Sequence, residues 1–159
     1  MPSRNSKKAP PAVETNVNAI KKIIKIMKKN QKIIYLTTNS GYGMGEKNKY
    51  CDENSELRPV SLYGKTKIDA EKIVRNYNNH ICYRLATVFG YSYRMRTDLL
   101  VNDFVHKAIV DGYIVLFESH FKRNYIHIQD IALTFLFLET TSNALNESKT
   151  PACSVVQAI

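Results

Sequence analysis

Tyr63 and Lys67 stand four residues apart in a stretch, Leu62 to Asn78, whose pattern predicts a helix, so their side chains share one face. A tyrosine hydroxyl ordinarily titrates at about pH 10, too high for a good base at neutrality, and a neighbouring ammonium stabilises its phenolate and makes it usable. The spacing alone has a plainer reading. With ten tyrosines present, about one Tyr-x-x-x-Lys arises by chance, and it equally suits a surface tyrosine resting on a lysine stem. Thr37 and Thr38 end a short apolar run, Ile33 to Leu36, that reads as a strand buried on both faces. Carboxyl ends of strands in open α/β sheets converge on a ligand crevice, so these hydroxyls could bond a substrate oxygen or simply cap the loop.

The elements that must position these groups alternate. Residues 1–15, with three prolines, read as a loop or disordered terminus. Val17, Ile20, Ile23, Ile24 and Met27 then recur at helical spacing from about Asn16 to Asn30, with Lys21, Lys22, Lys25, Lys28, Lys29 and Lys32 outward. The Ile33–Leu36 strand leads into a turn marked by Gly41 and Gly43, and a polar excursion from Met44 to Pro59 brings the chain to the Tyr63 helix. Strand-like Ile81–Leu85, a loop around Gly90, a helix over Asp98–Asp111 ended by Gly112, a strand at Tyr113–Phe117, and a helix over Ile131–Glu139 with Asp130 as its N-cap complete the pattern. Residues 141–159 are left unassigned. Such an order predicts an α/β fold, a parallel sheet with flanking helices, over residues 16–140.

Composition narrows the function. The charge of +9 is local: residues 1–32 hold nine Lys/Arg against Glu14 alone, while the remainder is nearly balanced. A segment of that kind can bind nucleic acid or anionic lipid, but no aromatic residue interleaves the lysines, and a solvated helix face accounts for them. Three cysteines without a CxxC pair and four histidines without ligand spacing give no expectation of a disulfide framework or a metal site. No apolar run reaches the roughly 20 residues a bilayer requires, and no signal-like segment is evident, so a cytoplasmic location is expected.

Several segments, in order, resemble one family. Leu36-Thr37-Thr38-Asn39-Ser40-Gly41-Tyr42-Gly43 is similar to the Ser/Thr strand end followed by Tyr-Gly of extended short-chain dehydrogenases. Pro59-Val60-Ser61-Leu62-Tyr63-Gly64-Lys65-Thr66-Lys67 is similar to their P-x-S-x-Y-G-x-S/T-K signature, which Glu71 continues. Asn16-Val17, Glu53 with Pro59, Arg84 to Gly90, and Arg123 to Asp130 agree in sequence order, so the resemblance covers about residues 12–140. It implies an NAD-dependent epimerase/dehydratase of the nucleotide-sugar type, with a partial Rossmann-like sheet corresponding to the C-terminal half of that fold. Tyr63 would exchange a proton with a sugar hydroxyl; Lys67 would hold the nicotinamide ribose of NAD or NADP and depress the tyrosine's pKa; Thr38 would orient the sugar oxygen. Thr37 and Leu85 would join the cofactor site. Thr87 stands where many relatives carry an asparagine near the substrate phosphates, and Arg123 matches an arginine that pairs with the nucleotide diphosphate. Asn39 and Ser40 replace the Asp-Glu pair usual in 4,6-dehydratases, which favours epimerase or reductase chemistry over dehydration.

None of the six glycines forms the G-x-x-G-x-x-G turn that a dinucleotide fold needs at a helix N-terminus. The first half of the Rossmann unit is therefore expected to be missing. Ile33–Leu36 would then be an uncovered apolar edge, and a second chain or homo-oligomer would supply the missing strands. Beside the epimerase acting on a nucleoside-diphosphate sugar stand a non-catalytic remnant or assembly subunit of the same fold and a dehydratase or reductase. A nucleic-acid binder acting through residues 18–32 ranks last.

Overall fold

The computed structural model describes residues 10–44, 50–117, 119–120, 123–144 and 152–156, with no side chains described from 138 onward. The described residues fall into two compact units, one running to Arg84 and including most of the last strand, the other from Leu85 through the last helix.

The first unit begins with a continuous helical stretch. Pro11–Val13 (α1) is α-helical, Glu14–Asn18 is a π-helical turn, and Ala19–Ile26 (α2) is α-helical again. The helix thus starts inside the stretch expected to be a loop, because Pro11 occupies the first helical position, where a missing N–H costs nothing. It also ends sooner than the periodicity suggested. Met27 is extended, and Gln31 closes a turn by accepting the Lys28 N–H on its side chain at 2.7 Å. Lys28, Lys29 and Lys32 therefore lie beyond the helix and not on its face.

Ile33–Thr38 forms β1, a 3-10 turn covers Asn39–Tyr42, Leu62–Arg75 forms α3, and His80–Leu85 forms β2. The Ile33 N–H donates to the Asn79 carbonyl at 3.0 Å, so β1 and β2 start side by side, and the α3 crossover between them makes the pair parallel. The sheet order is β1-β2-β5, where β5 is Ala152–Val156 in the stretch left unassigned from sequence. Among the described strands, β1 lies at the edge. Ile33 and Tyr35 pack with Ala70, Val74 and Cys82, and Ile20, Ile24, Met27 and Tyr77 close over them. Ile34, pointing the other way, is exposed. Burial of β1 on both faces, expected from its apolar run, does not hold within this unit, where α2 and α3 cover one side.

The second unit holds Thr87–Phe89 (β3), Leu100–Val110 (α4), Tyr125–His127 (β4) and Ile128–Ala144 (α5). β3 and β4 pair in parallel, Thr87 opposite Tyr125 and Phe89 opposite His127. Buried Asn102 fastens α4 by accepting from the Gly90 N–H and donating to the Arg96 carbonyl. Two expectations are corrected here. Tyr113–Phe117 is not a strand: the segment is exposed and no described strand takes its backbone groups, without which an apolar run stays irregular. Asp130 is not the N-cap, since β4 passes directly into α5 at Ile128 and leaves Asp130 in the first turn, where its charge still suits the helix dipole. No described helix is long and apolar enough to cross a membrane.

Candidate functional site

Ser61 sets the start of the helix that carries the tyrosine and lysine. Its hydroxyl accepts the Gly64 N–H at 3.0 Å, one of the donors a helix start leaves unpaired. Gly64 lets the turn after β1 come close: a methyl at this position would sit 3.1 Å from the Ser40 carbonyl oxygen. The strand tip holding Thr38 and the helix turn holding Tyr63 therefore abut. Asn16, in the π-helical turn, donates to the Thr66 hydroxyl at 3.0 Å, and that hydroxyl donates to the Tyr63 carbonyl. The first turn of α3 is tied from both sides.

One turn on, Lys67 reaches back to β1. Its Nζ donates to the Leu36 carbonyl at 2.6 Å and lies 4.3 Å from the centre of the Tyr35 ring. Burial lowers the Lys67 pKa below its ordinary value, opposed by the Glu71 carboxylate a further turn along α3. Burial pushes the Tyr35 phenol far above the usual range, and the nearby Tyr63 phenol adds to the effect. Tyr63 itself is half exposed. The arrangement is a solvent-facing phenol beside a partly desolvated ammonium at the end of a strand.

Both threonines at the tip are buried but differ in bonding. Thr38 accepts the Ser40 N–H and donates to the Ser40 hydroxyl, each at 3.2 Å, and so caps the 3-10 turn. The Thr37 hydroxyl has no hydrogen-bond partner among the described residues. Leu85 ends β2 at the same end of the sheet. Thr87 and Arg123 belong to the second unit, where the Thr87 N–H donates to the carbonyl of Asn124 at 3.1 Å. The structure thus brings Thr37, Thr38, Tyr63 and Lys67 to one strand end, and Thr87 to the residue after Arg123.

Three side chains quoted only as matching positions form a network of their own. Arg84 and Glu71 make a buried ion pair at 2.7 Å, and Arg84 also donates to the Tyr42 hydroxyl at 3.0 Å. The sequence signal was available: an arginine inside the apolar run Tyr83-Arg84-Leu85 must find an anion if that run is a buried strand.

Comparison with known proteins decides the family. The model of the NAD dependent epimerase/dehydratase family matches residues 2–150. The chain belongs to this family. It is 26% identical over 128 residues to the uncharacterized UDP-glucose epimerase YtcB of Bacillus subtilis, covering 76% of this chain and 39% of that protein. It is 30% identical over 107 residues to UDP-glucuronate 4-epimerase 6 of Arabidopsis thaliana, covering 62% of this chain and 23% of that one. Among solved structures, the UDP-glucuronic acid 4-epimerase of Bacillus cereus in complex with NAD superposes with a TM-score of 0.71 at 20% identity, over 91% of this chain and 47% of the other. That likeness establishes the extended Rossmann-like fold. This member of the epimerase/dehydratase family spans about half the length of that structure and less of the curated relatives.

Proposed function

We propose that this chain carries the proton-transfer part of an NAD-dependent nucleotide-sugar epimerase, with Tyr63 as the acid/base and Lys67 as its electrostatic partner. The observation that carries this reading is Lys67 Nζ, half-buried and bonded to the Leu36 carbonyl near the carboxyl end of β1, one turn along α3 from the half-exposed Tyr63. An ammonium has three donors, and the Leu36 carbonyl takes one of them. The other two can meet a ribose hydroxyl and the phenolate. The Thr37 hydroxyl, without a hydrogen-bond partner among the described residues, fits a polar group of the same cofactor end, with Leu85 on the neighbouring strand. NAD, when bound, supplies hydride transfer at a sugar carbon. The protein's part is to take a proton from the sugar hydroxyl onto Tyr63 Oη and return it, to hold that oxygen with Thr38 Oγ1, and to grip the nucleotide diphosphate with Arg123, beside Thr87.

The residues fit the nicotinamide-ribose end only. No Gly-rich turn is present in the sequence for the pyrophosphate. We accordingly propose that the chain alone binds NAD weakly and has little or no activity until a different chain supplies that turn; a second chain or another copy would also cover the edge of β1 with strands. We further propose that the protein acts on its nucleotide sugar in the cytoplasm. A second reading, a non-catalytic assembly subunit of the same fold, draws on β1 standing at the sheet edge. Dehydratase chemistry is disfavoured by Asn39 and Ser40, which offer no carboxylates for water elimination.

The test supplies a polypeptide bearing a Gly-rich dinucleotide half in trans, with NAD and UDP-glucose or UDP-glucuronic acid, and follows inversion of the sugar by NMR. Wild type should turn over, and Tyr63→Phe should fall by about 10²-fold or more, the share a general acid/base contributes. Equal turnover by Tyr63→Phe and wild type would remove the tyrosine from the mechanism, and micromolar NADH binding by the chain alone would contradict the divided-site reading.

A further inference from the structure

The proposed chemistry leaves one buried polar cluster unused. Arg84 on β2 and Glu71 on α3 are each only 1% exposed. The guanidinium donates through Nη2 to Glu71 Oε1 at 2.7 Å and through Nε to both carboxylate oxygens at 3.2 and 3.3 Å. Its Nη1 donates to the Tyr42 hydroxyl at 3.0 Å and to the Glu53 carbonyl at 3.2 Å, and Tyr42 in turn donates to the Asp52 carbonyl at 2.8 Å.

Stability alone does not call for such a cluster, because apolar residues of similar volume often serve a core as well as a buried ion pair. What apolar residues cannot supply is direction. Tyr63, Lys67 and Glu71 recur at four-residue spacing along α3, so they lie on one stripe of the helix. The Glu71–Arg84 bonds and the Lys67–Leu36 bond therefore demand the same rotation of α3 about its axis. A turn of one residue, about 100°, would break both. The other arm of the cluster holds Asp52 and Glu53, in the excursion that delivers the chain to the Ser61 cap.

We propose that Arg84, Glu71 and Tyr42 are positioning residues: a buried post that fixes the rotation of α3, and with it the placement of Tyr63 and Lys67 at the β1 tip, while anchoring the excursion at Asp52 and Glu53. The inference deepens the acid/base reading and rests on it for its functional meaning. The Glu71 carboxylate also favours the charged form of Lys67 against burial, so the post acts on the charge of the lysine as well as its place.

The test uses the full chain without ligand. Lys67 lies over the Tyr35 ring, so its Cε protons should show an upfield ring-current shift in NMR spectra. In Arg84→Met combined with Glu71→Leu, which keeps volume and removes direction, a cooperatively folded protein should lose that shift. A folded double variant with the shift intact would overturn the proposal. Should the double variant not fold, Glu71→Gln, which keeps the shape and drops the charge, is read by the same shift and by a fall in the Lys67 titration midpoint; neither change would equally overturn it. Tyr42→Phe should speed amide exchange at Asp52, Asn54 and Ser55 by roughly tenfold, the protection lost with a hydrogen bond to a charged group. Tyr77→Phe, removing a hydroxyl bound to the Lys28 and Gln31 carbonyls elsewhere in the unit, should change neither. Exchange in Tyr42→Phe no faster than in Tyr77→Phe would refute the anchoring arm. None of these measurements involves NAD or a sugar, so they fail or succeed separately from the Tyr63→Phe turnover comparison.

Discussion

Replacing Thr37 and Thr38 by valine, one at a time, should move stability in opposite directions. Both residues are buried neighbours at the end of the same strand, and valine preserves shape and β-branching in each case. The Thr37 hydroxyl has no partner among the described residues, so the folded chain carries its desolvation without return, a cost of about 1 to 3 kcal/mol for a buried polar group. Thr37→Val removes that cost and should stabilise the ligand-free chain by about 1 kcal/mol or a little more, since valine also gains apolar burial. The Thr38 hydroxyl caps the following turn through Ser40, and removing a cap of this kind costs about 1 kcal/mol. At roughly 2 to 4 °C per kcal/mol for a chain of this size, the two melting temperatures should separate by about 4 to 8 °C, with wild type between them. Urea unfolding with matched m-values gives the same comparison as free energies. In the complemented enzyme the gain should reverse its meaning, with Thr37→Val binding NAD more weakly while being the more stable protein. Destabilisation by Thr37→Val as large as that by Thr38→Val would show that the Thr37 hydroxyl is satisfied in the folded chain, and would remove the main support for its place in the cofactor site.

Other outcomes follow from the same geometry. Glu71→Leu alone leaves the Arg84 guanidinium buried without its anion and should cost about 3 to 5 kcal/mol in chemical denaturation, whereas the Arg84→Met, Glu71→Leu pair should restore most of the loss. Gly43→Ala should be more damaging than Gly112→Ala: both glycines have positive φ, which costs about 1 kcal/mol for alanine, but a methyl at Gly43 also meets the Arg58 carbonyl while one at Gly112 meets nothing among the described residues. Equal losses in thermal melts would contradict this ordering. Tyr35→Phe should flatten the alkaline loss of stability. The Tyr35 pKa is raised on folding, so its contribution is complete below the unfolded value of about 10 and is lost as pH climbs above it; unfolding free energies at pH 9 and 11 in the two proteins measure the difference.

The helix, strand, helix, strand order of the first unit as far as β2 was legible because periodicity reports burial directly. Apolar residues at helical spacing from Val17 to Met27 and the apolar run that opens β1 mark segments with side chains to remove from water. The Tyr63–Lys67 pair was legible for a related reason, since helical spacing fixes which side chains share a face without any knowledge of the partner. Three-residue β3 and β4 were not, being too short to show a period, and Tyr113–Phe117 shows the converse: a strand-like composition forms no strand when no described neighbour takes its backbone groups.

By itself the sequence determined the family, the helix that bears the tyrosine and lysine, and the threonines at the strand end, because each depends on residue identity and local spacing. Only the tertiary structure decided that the Thr37 hydroxyl lacks a partner among the described residues while Thr38 has one, that Lys67 bonds the Leu36 carbonyl, and that Arg84 binds Glu71 and Tyr42. Those are contacts between residues up to 42 positions apart, and a hydrogen bond depends on distances and directions that no local pattern encodes.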